Sequence, residues 1–263
     1  MNGNDFETLI IRTEDLCRRS ERDFSPCFTG FLSPEEQVAV KNISSQYAGI
    51  FCISFGGFLQ SERNIIGFFP RDIYVEPLND EQRNDFEEMF DTSCVQISGS
   101  GFVNIGHRDV LGSLMSLGIK RETIGDIIVS DDQKTAYVAV LENVAEYIKM
   151  NLERVARDKV RISLIDFAGV PEKKQRFTDL AFTVSSLRLD AIAAGFLNFS
   201  RDKTKKLIAS GKVSINHSEC TSVDRSISEG DIITVKGIGK FVIDAYLGQT
   251  QKSRYRVVVK KYL

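Results

Sequence analysis

Eight residues between positions 188 and 216 have the types and spacing to grip an anion: Arg188, Ser200, Arg201, Lys203, Lys205, Lys206, Lys212 and Asn216. They fall within SSLRLDAIAAGFLNFSRDKTKKLIASGKVSIN, residues 185–216. Cations at a helix C-terminus complement its dipole, but Arg201 and Lys203 stand near an N-terminus, where they oppose it. Only Asp202 counters them. A solvated face is the plain alternative for one four-charge helix. Positive charge set against its own helix points instead to an external anion, and phosphate backbone is the commonest such partner. Asn216 is placed to hydrogen-bond sugar or phosphate at the turn that follows.

The elements that must carry these residues are two short helices and a strand. The first helix is expected from near Ser186, with Leu187, Leu189, Ile192 and Ala193 inward and Gly195 loosening its end. The second follows the cap Ser200. At about 100° per residue, Thr204, Leu207 and Ile208 fall on its inner side, and Gly211 supplies a left-handed stop. The charge of the whole chain supports an outward anion. Net charge is −2, yet residues 171–263 hold 17 basic and 9 acidic residues, against 17 basic and 27 acidic before them. A basic end on an acidic body suggests a nucleic-acid-facing region.

These residues resemble the RNA-binding domain first described in small-subunit ribosomal protein S-four. The resemblance rests on Arg188-Leu189-Asp190, Ser200-Arg201, Gly211-Lys212-Val213 and Asn216, and on the turn Ser228-Glu229-Gly230-Asp231 before Ile232 to Val235. It covers about a quarter of the chain. His217 departs from the pattern, which usually has Gly after the Asn, although Asn tolerates positive φ.

Composition excludes several classes. No apolar run approaches the ~18 residues of a membrane span, and the N-terminus has early acids where a secretory signal would be apolar. The five cysteines are odd in number with no Cys-x-x-Cys spacing, which points to reduced thiols in a cytosol and to neither a disulfide frame nor a zinc site. The two histidines lie 110 positions apart, so no Ser-His or metal constellation is visible. No cofactor is expected. Gly99-Ser100-Gly101 is too short for a dinucleotide or methyl-donor loop. Arg188-Leu189-Asp190 also suits the catalytic Asp of pseudouridine synthases, but the residues after Asp190 are already committed to the RNA-binding fold.

The fold class is α+β in three small domains: residues 1–78, an α/β unit; residues 79–167, a β-α-β-β-α-β ferredoxin-like or RRM-like domain; and residues 181–263, the S-four-type domain. Ser33-Pro34-Glu35-Glu36 is a strong helix start. Gly56-Gly57 reads as a bend between strands 50–55 and 65–69. Arg63 is a phosphate contact or, more plainly, a surface ion-pair partner. Residues 77–85 form the first boundary and residues 168–183 the second linker. In the central domain a helix from His107 to Leu117 turns Val110, Leu111, Leu114 and Met115 inward, and Asn143 caps a second helix. Its central strands offer only Tyr137, so base stacking on the sheet is not expected. His107, Arg108, Lys120 and Arg121, at the two ends of one helix, are secondary RNA candidates. Arg254 and Arg256 share a strand face that could extend the basic surface.

FLSPEEQ, GGFLQSER, HRDVLGSLMSLGIK and SSLRLD stand in the order shown by the YlmH-like family of bacterial proteins, and the chain resembles that family over nearly its whole length. The resemblance implies a non-enzymatic RNA-binding protein of the bacterial cytoplasm, acting on structured rRNA or tRNA. It also implies a part in ribosome-associated quality control, at a large subunit carrying peptidyl-tRNA, and a link to cell division. Two other readings stay open: an adaptor whose acidic N-terminal half docks cell-division proteins, and an RNA-modifying enzyme.

Overall fold

The computed structural model describes residues 3–171 and 176–262. The chain forms two compact units, residues 1–173 and 174–263. Both mix helices and antiparallel sheet, as expected of an α+β protein.

Among its described residues the first unit holds two larger sheets and a two-stranded one. Helices α1 (Gly3–Asp23) and α2 (Pro34–Ser44) accompany a sheet of β1 (Cys27–Phe28), β2 (Ile50–Phe55) and β3 (Ile65–Pro70), in the order β1-β3-β2. The capping box at α2 is reciprocal: Glu36 N donates to Ser33 Oγ at 3.3 Å, and Ser33 N to Glu36 Oε2 at 2.6 Å. α3 (Asp80–Glu87) then leads to the second sheet. Its elements are β4 (Thr92–Ser98), α4 (His107–Ser116), β5 (Ile124–Val129), β6 (Thr135–Leu141), α5 (Glu142–Asn151) and β9 (Arg161–Ile165), with a small hairpin of β7 (Arg154–Val155) and β8 (Asp158–Lys159) before the last strand. The strand order β5-β6-β4-β9, antiparallel throughout, is that of the split β-α-β-β-α-β arrangement. Val95, Ile97, Val138 and Val140 from the sheet pack against Val110 and Leu114 of α4 and Ala145 and Ile148 of α5.

The two larger sheets share a core. Phe51 and Phe69 of the first pack with Phe86 and Phe90 and with Ala139 of the second, while Phe167 closes the edge. The polar stretch 77–85 therefore runs within one compact unit. Arg63 is no surface ion-pair partner. Its Nε donates to Ile124 O at 3.1 Å and its terminal nitrogen to Phe31 O at 2.6 Å and Arg121 O at 3.4 Å. It thus ties the bend after β2 to the start of β5, and burial lowers its pKa.

Several boundaries differ from expectation for local reasons. α5 begins at Glu142, behind Leu141, which makes no side-chain cap, so Asn143 lies inside the first turn. Met115 is 43% exposed, because α4 buries only the stripe through Val110 and Leu114. All five cysteines are free. Burial pushes the Cys17 and Cys94 thiols up to about 12.

The second unit is one six-stranded sheet covered by two helices. Its elements are β10 (Phe177–Val184), α6 (Leu189–Leu197), α7 (Arg201–Ala209), β11 (Val213–Ile215), β12 (Ser218–Glu219), β13 (Ile232–Val235), β14 (Gly239–Gln249) and β15 (Tyr255–Tyr262), in the order β10-β15-β14-β13-β11-β12. β10 corrects the expectation of a linker through Thr183. Leu180, Phe182 and Val184 turn inward on alternate positions, and the whole strand pairs with β15. Residues 172–175 of that expected linker lie outside the described residues.

Replacing Arg63 by Ala takes a donor from three backbone carbonyls inside the first unit; Ile124 O keeps Arg121 and Arg121 O keeps Ile124 N, while Phe31 O loses its bond. Urea unfolding should show a loss of about 1–3 kcal/mol. Arg63→Lys should not recover it, because an ammonium lacks the planar fork that spans three acceptors.

Candidate nucleic-acid interface

α6 starts later than its serines suggest. Leu187 and Arg188 are extended: Ile227 N donates to Leu187 O at 2.9 Å, Leu189 N to Arg225 O at 2.9 Å, and Arg188 bridges Ser226. That pairing holds the chain out of helical geometry until Leu189, with Arg188 as the cap residue. The helix ends on Asn198, left-handed at φ 53°. Gly195 does not loosen this end. It lies inside α6, where a Cβ would stand 2.3 Å from the Phe182 ring. Gly195 is the position that lets β10 approach α6.

α7 follows as expected. Lys203 N donates to Ser200 Oγ at 3.3 Å, and Gly211 at φ 68° ends the turn after the helix. Thr204 and Ile208 are fully buried, while Arg201, Lys203, Lys205 and Lys206 are exposed. Two of the predicted anion contacts lean on an internal acid. Arg188 Nε lies 3.3 Å and Arg201 4.0 Å from the buried carboxylate of Asp190. One negative charge under two guanidiniums leaves that corner positive. Lys203 rests on the Phe199 ring, 3.6 Å from its centroid. Among the described residues, Lys203, Lys205, Lys206 and Lys212 make no ion pair.

Asn216 and His217 form a two-residue turn between β11 and β12, with φ 47° and 69°. Both angles are positive, as a type I′ hairpin needs, so the turn accepts His where Gly is usual. Asn216 spends its amide inside the fold, donating to Asp231 Oδ1 at 2.8 Å and accepting from Ile232 N at 2.9 Å. Asp231 in turn accepts from Ser228 N at 2.8 Å, closing the turn that holds Gly230 at φ 85°. Lys236 is a cation that sequence spacing did not flag. Its N–H donates to Lys212 O at 2.9 Å, which brings two exposed lysines together from positions 24 apart.

The other predicted cations lie elsewhere. Arg254 donates to Thr183 Oγ1 at 3.2 Å and Thr183 O at 2.7 Å, fastening β15 to β10. Arg256 alternates with the buried Val257, so it faces away from the core that α6 and α7 cover. In the first unit Arg108 lies at one end of α4, with Lys120 and Arg121 beyond the other, about 15 Å of helix rise away. Arg121 is half-buried and donates to Ile124 O and to Gly125 O at 3.3 Å. Burial, with Arg63 beside it, lowers its pKa to about 10. His107 and Lys120 are exposed. Among the described residues no cluster of His, Cys, Asp and Glu could hold a metal ion, and no helix is long and apolar enough to cross a membrane.

Residues 85–169, which include the second sheet, match the family described as "Putative RNA-binding domain in YlmH". Over 260 residues the chain is 30% identical to the "Ribosome-associated protein quality control protein P2" of Bacillus subtilis (strain 168), spanning 98% of this chain and 95% of that protein. The chain belongs to the YlmH-like family. A solved structure, "Cell division protein ylmH from Streptococcus pneumoniae", superimposes with a TM-score of 0.50 at 22% identity, covering 64% of this chain and 95% of that one. At that identity the likeness speaks for the fold.

Gly195→Ala should destabilise the second unit by about 1–3 kcal/mol through overpacking, even though Ala is the better helix former. Combining it with Phe182→Ala should remove most of the penalty. Thermal or urea unfolding of the four species checks the coupling.

Proposed function

We propose that this YlmH-like chain is a non-enzymatic RNA-binding protein that acts on structured rRNA or tRNA at the ribosome. Its second unit serves as an S-four-type RNA-binding domain. The observation that carries the reading is α7: a short helix whose cations are exposed, lean on no acid except at Asp190, and oppose their own dipole at its start. Lys212 and Lys236 continue that charge beyond the helix C-terminus. Such a surface holds phosphate oxygens and fixes register without reading sequence.

The name of the Bacillus relative supports a place in ribosome-associated quality control, where the RNA on offer is a large subunit carrying peptidyl-tRNA. On this reading the parts 1–78 and 79–167 of the first unit act as one body around their shared core, and its acidic surface is the part left for protein partners, including those of cell division. The protein acts in the cytoplasm and needs no cofactor.

Charge reversal at Lys205, Lys206 and Lys212 to Glu should abolish co-sedimentation with ribosomes and leave the unfolding midpoint unchanged. Arg201 is spared because it stands over Asp190. Residual binding should show a slope of log K against log salt shallower by about three. Undiminished co-sedimentation would overturn the assignment.

A further inference from the structure

Phe102 is 92% exposed, the highest value among the large apolar side chains of the described residues. It does not sit on a loose loop. Gly99 N donates to Lys134 O at 2.9 Å, Ser100 N to Asp158 Oδ2 at 2.8 Å, Phe102 N to Ser100 Oγ at 3.3 Å, and Ile105 N to Gln133 O at 2.8 Å. Ile105 is buried in the core beneath. Gly101, at φ 88° with open space around it, makes the bend just before the ring. The loop of residues 99–106 is therefore fastened at both ends and holds an aromatic ring in water.

Cations surround this fastening. Lys134 Nζ bonds to Asn104 Oδ1 at 2.9 Å. Asp158, the loop's anchor, lies in the β7–β8 hairpin between exposed Arg157 and Lys159, and Arg154 pairs across from Lys159. Arg154, Arg157 and Lys159 make no ion pair among the described residues. This cluster belongs to a stretch of chain that is otherwise rich in acid. An exposed ring on a fastened loop, with cations beside the fastening, has the chemistry of a single-strand platform: the π-face takes a base and the cations take its phosphates.

We propose that the 99–106 loop and the β7–β8 hairpin form a second RNA site, stacking one unpaired base on Phe102 and holding the adjoining phosphates with Lys134, Arg154, Arg157 and Lys159. This rests on the RNA-binding reading above but is independent of α7. It also puts stacking at the end of the sheet and leaves the sheet face out of it.

The test uses the full chain carrying the Lys205, Lys206 and Lys212 reversals, so that the α7 surface is weakened equally in every variant compared. The probe is fluorescein-labelled twelve-nucleotide oligouridylate, read by anisotropy at low salt. Phe102→Ala should weaken binding about ten-fold, and Phe102→Tyr should restore it. An abasic strand of equal length should not distinguish Phe from Ala. Arg154→Ala with Arg157→Ala should weaken binding of both strands and flatten the salt slope by about 1.4. Equal oligouridylate affinity with and without the ring would overturn the proposal and leave Phe102 as a contact for protein; so would no binding by the unreplaced loop. Failure of the α7 reversal to release ribosomes would count against α7 alone.

Discussion

A buried carboxylate beneath two guanidiniums fixes the geometry of the basic surface. Asp190 is 2% exposed, and an isolated buried anion is too costly to persist. It therefore holds Arg188 and Arg201 against itself, joining the start of α6 to the start of α7. One charge cannot satisfy two. The corner stays positive. The lysines beyond it repel one another, and the buried stripe of Thr204 and Ile208, the Ser200 cap and the Arg201–Asp190 pair hold their helix in place. Folding thus sustains a concentration of charge that the isolated helix would not favour.

Much of this was legible in the sequence because the signals were local. The cap Ser200, the stop Gly211 and the reciprocal Ser33–Glu36 pair act within four residues of themselves, and the structure keeps them all. The strand and helix order of the second sheet also followed from periodicity. What escaped detection depended on distant partners. Arg63 reads as a surface cation until three carbonyls from residues 31, 121 and 124 converge on it. Gly195 reads as a weak helix end until Phe182 arrives. Asn216 reads as a ligand contact until Asp231 and the backbone of Ile232 claim its amide.

β10 was hidden for a different reason. Its alternation of Leu180, Phe182 and Val184 is present in the sequence, but a charged run precedes it and its outer face is polar. Such alternation is the ordinary sign of a half-buried antiparallel strand, but the charged run before it drew the segment into the expected linker. The β7–β8 hairpin was hidden because its strands are too short to show a period. The first of these segments packs against α6 through Phe182, and the second anchors the loop that carries Phe102.

The position of β15 has a consequence for synthesis. It lies inside the sheet, between β10 and β14, although it is made last among the six strands. Until residues 255–262 leave the exit tunnel, β10 has no neighbour and the layer beneath α6 stays open. A half-made copy would thus carry α6 and α7 on an incomplete sheet.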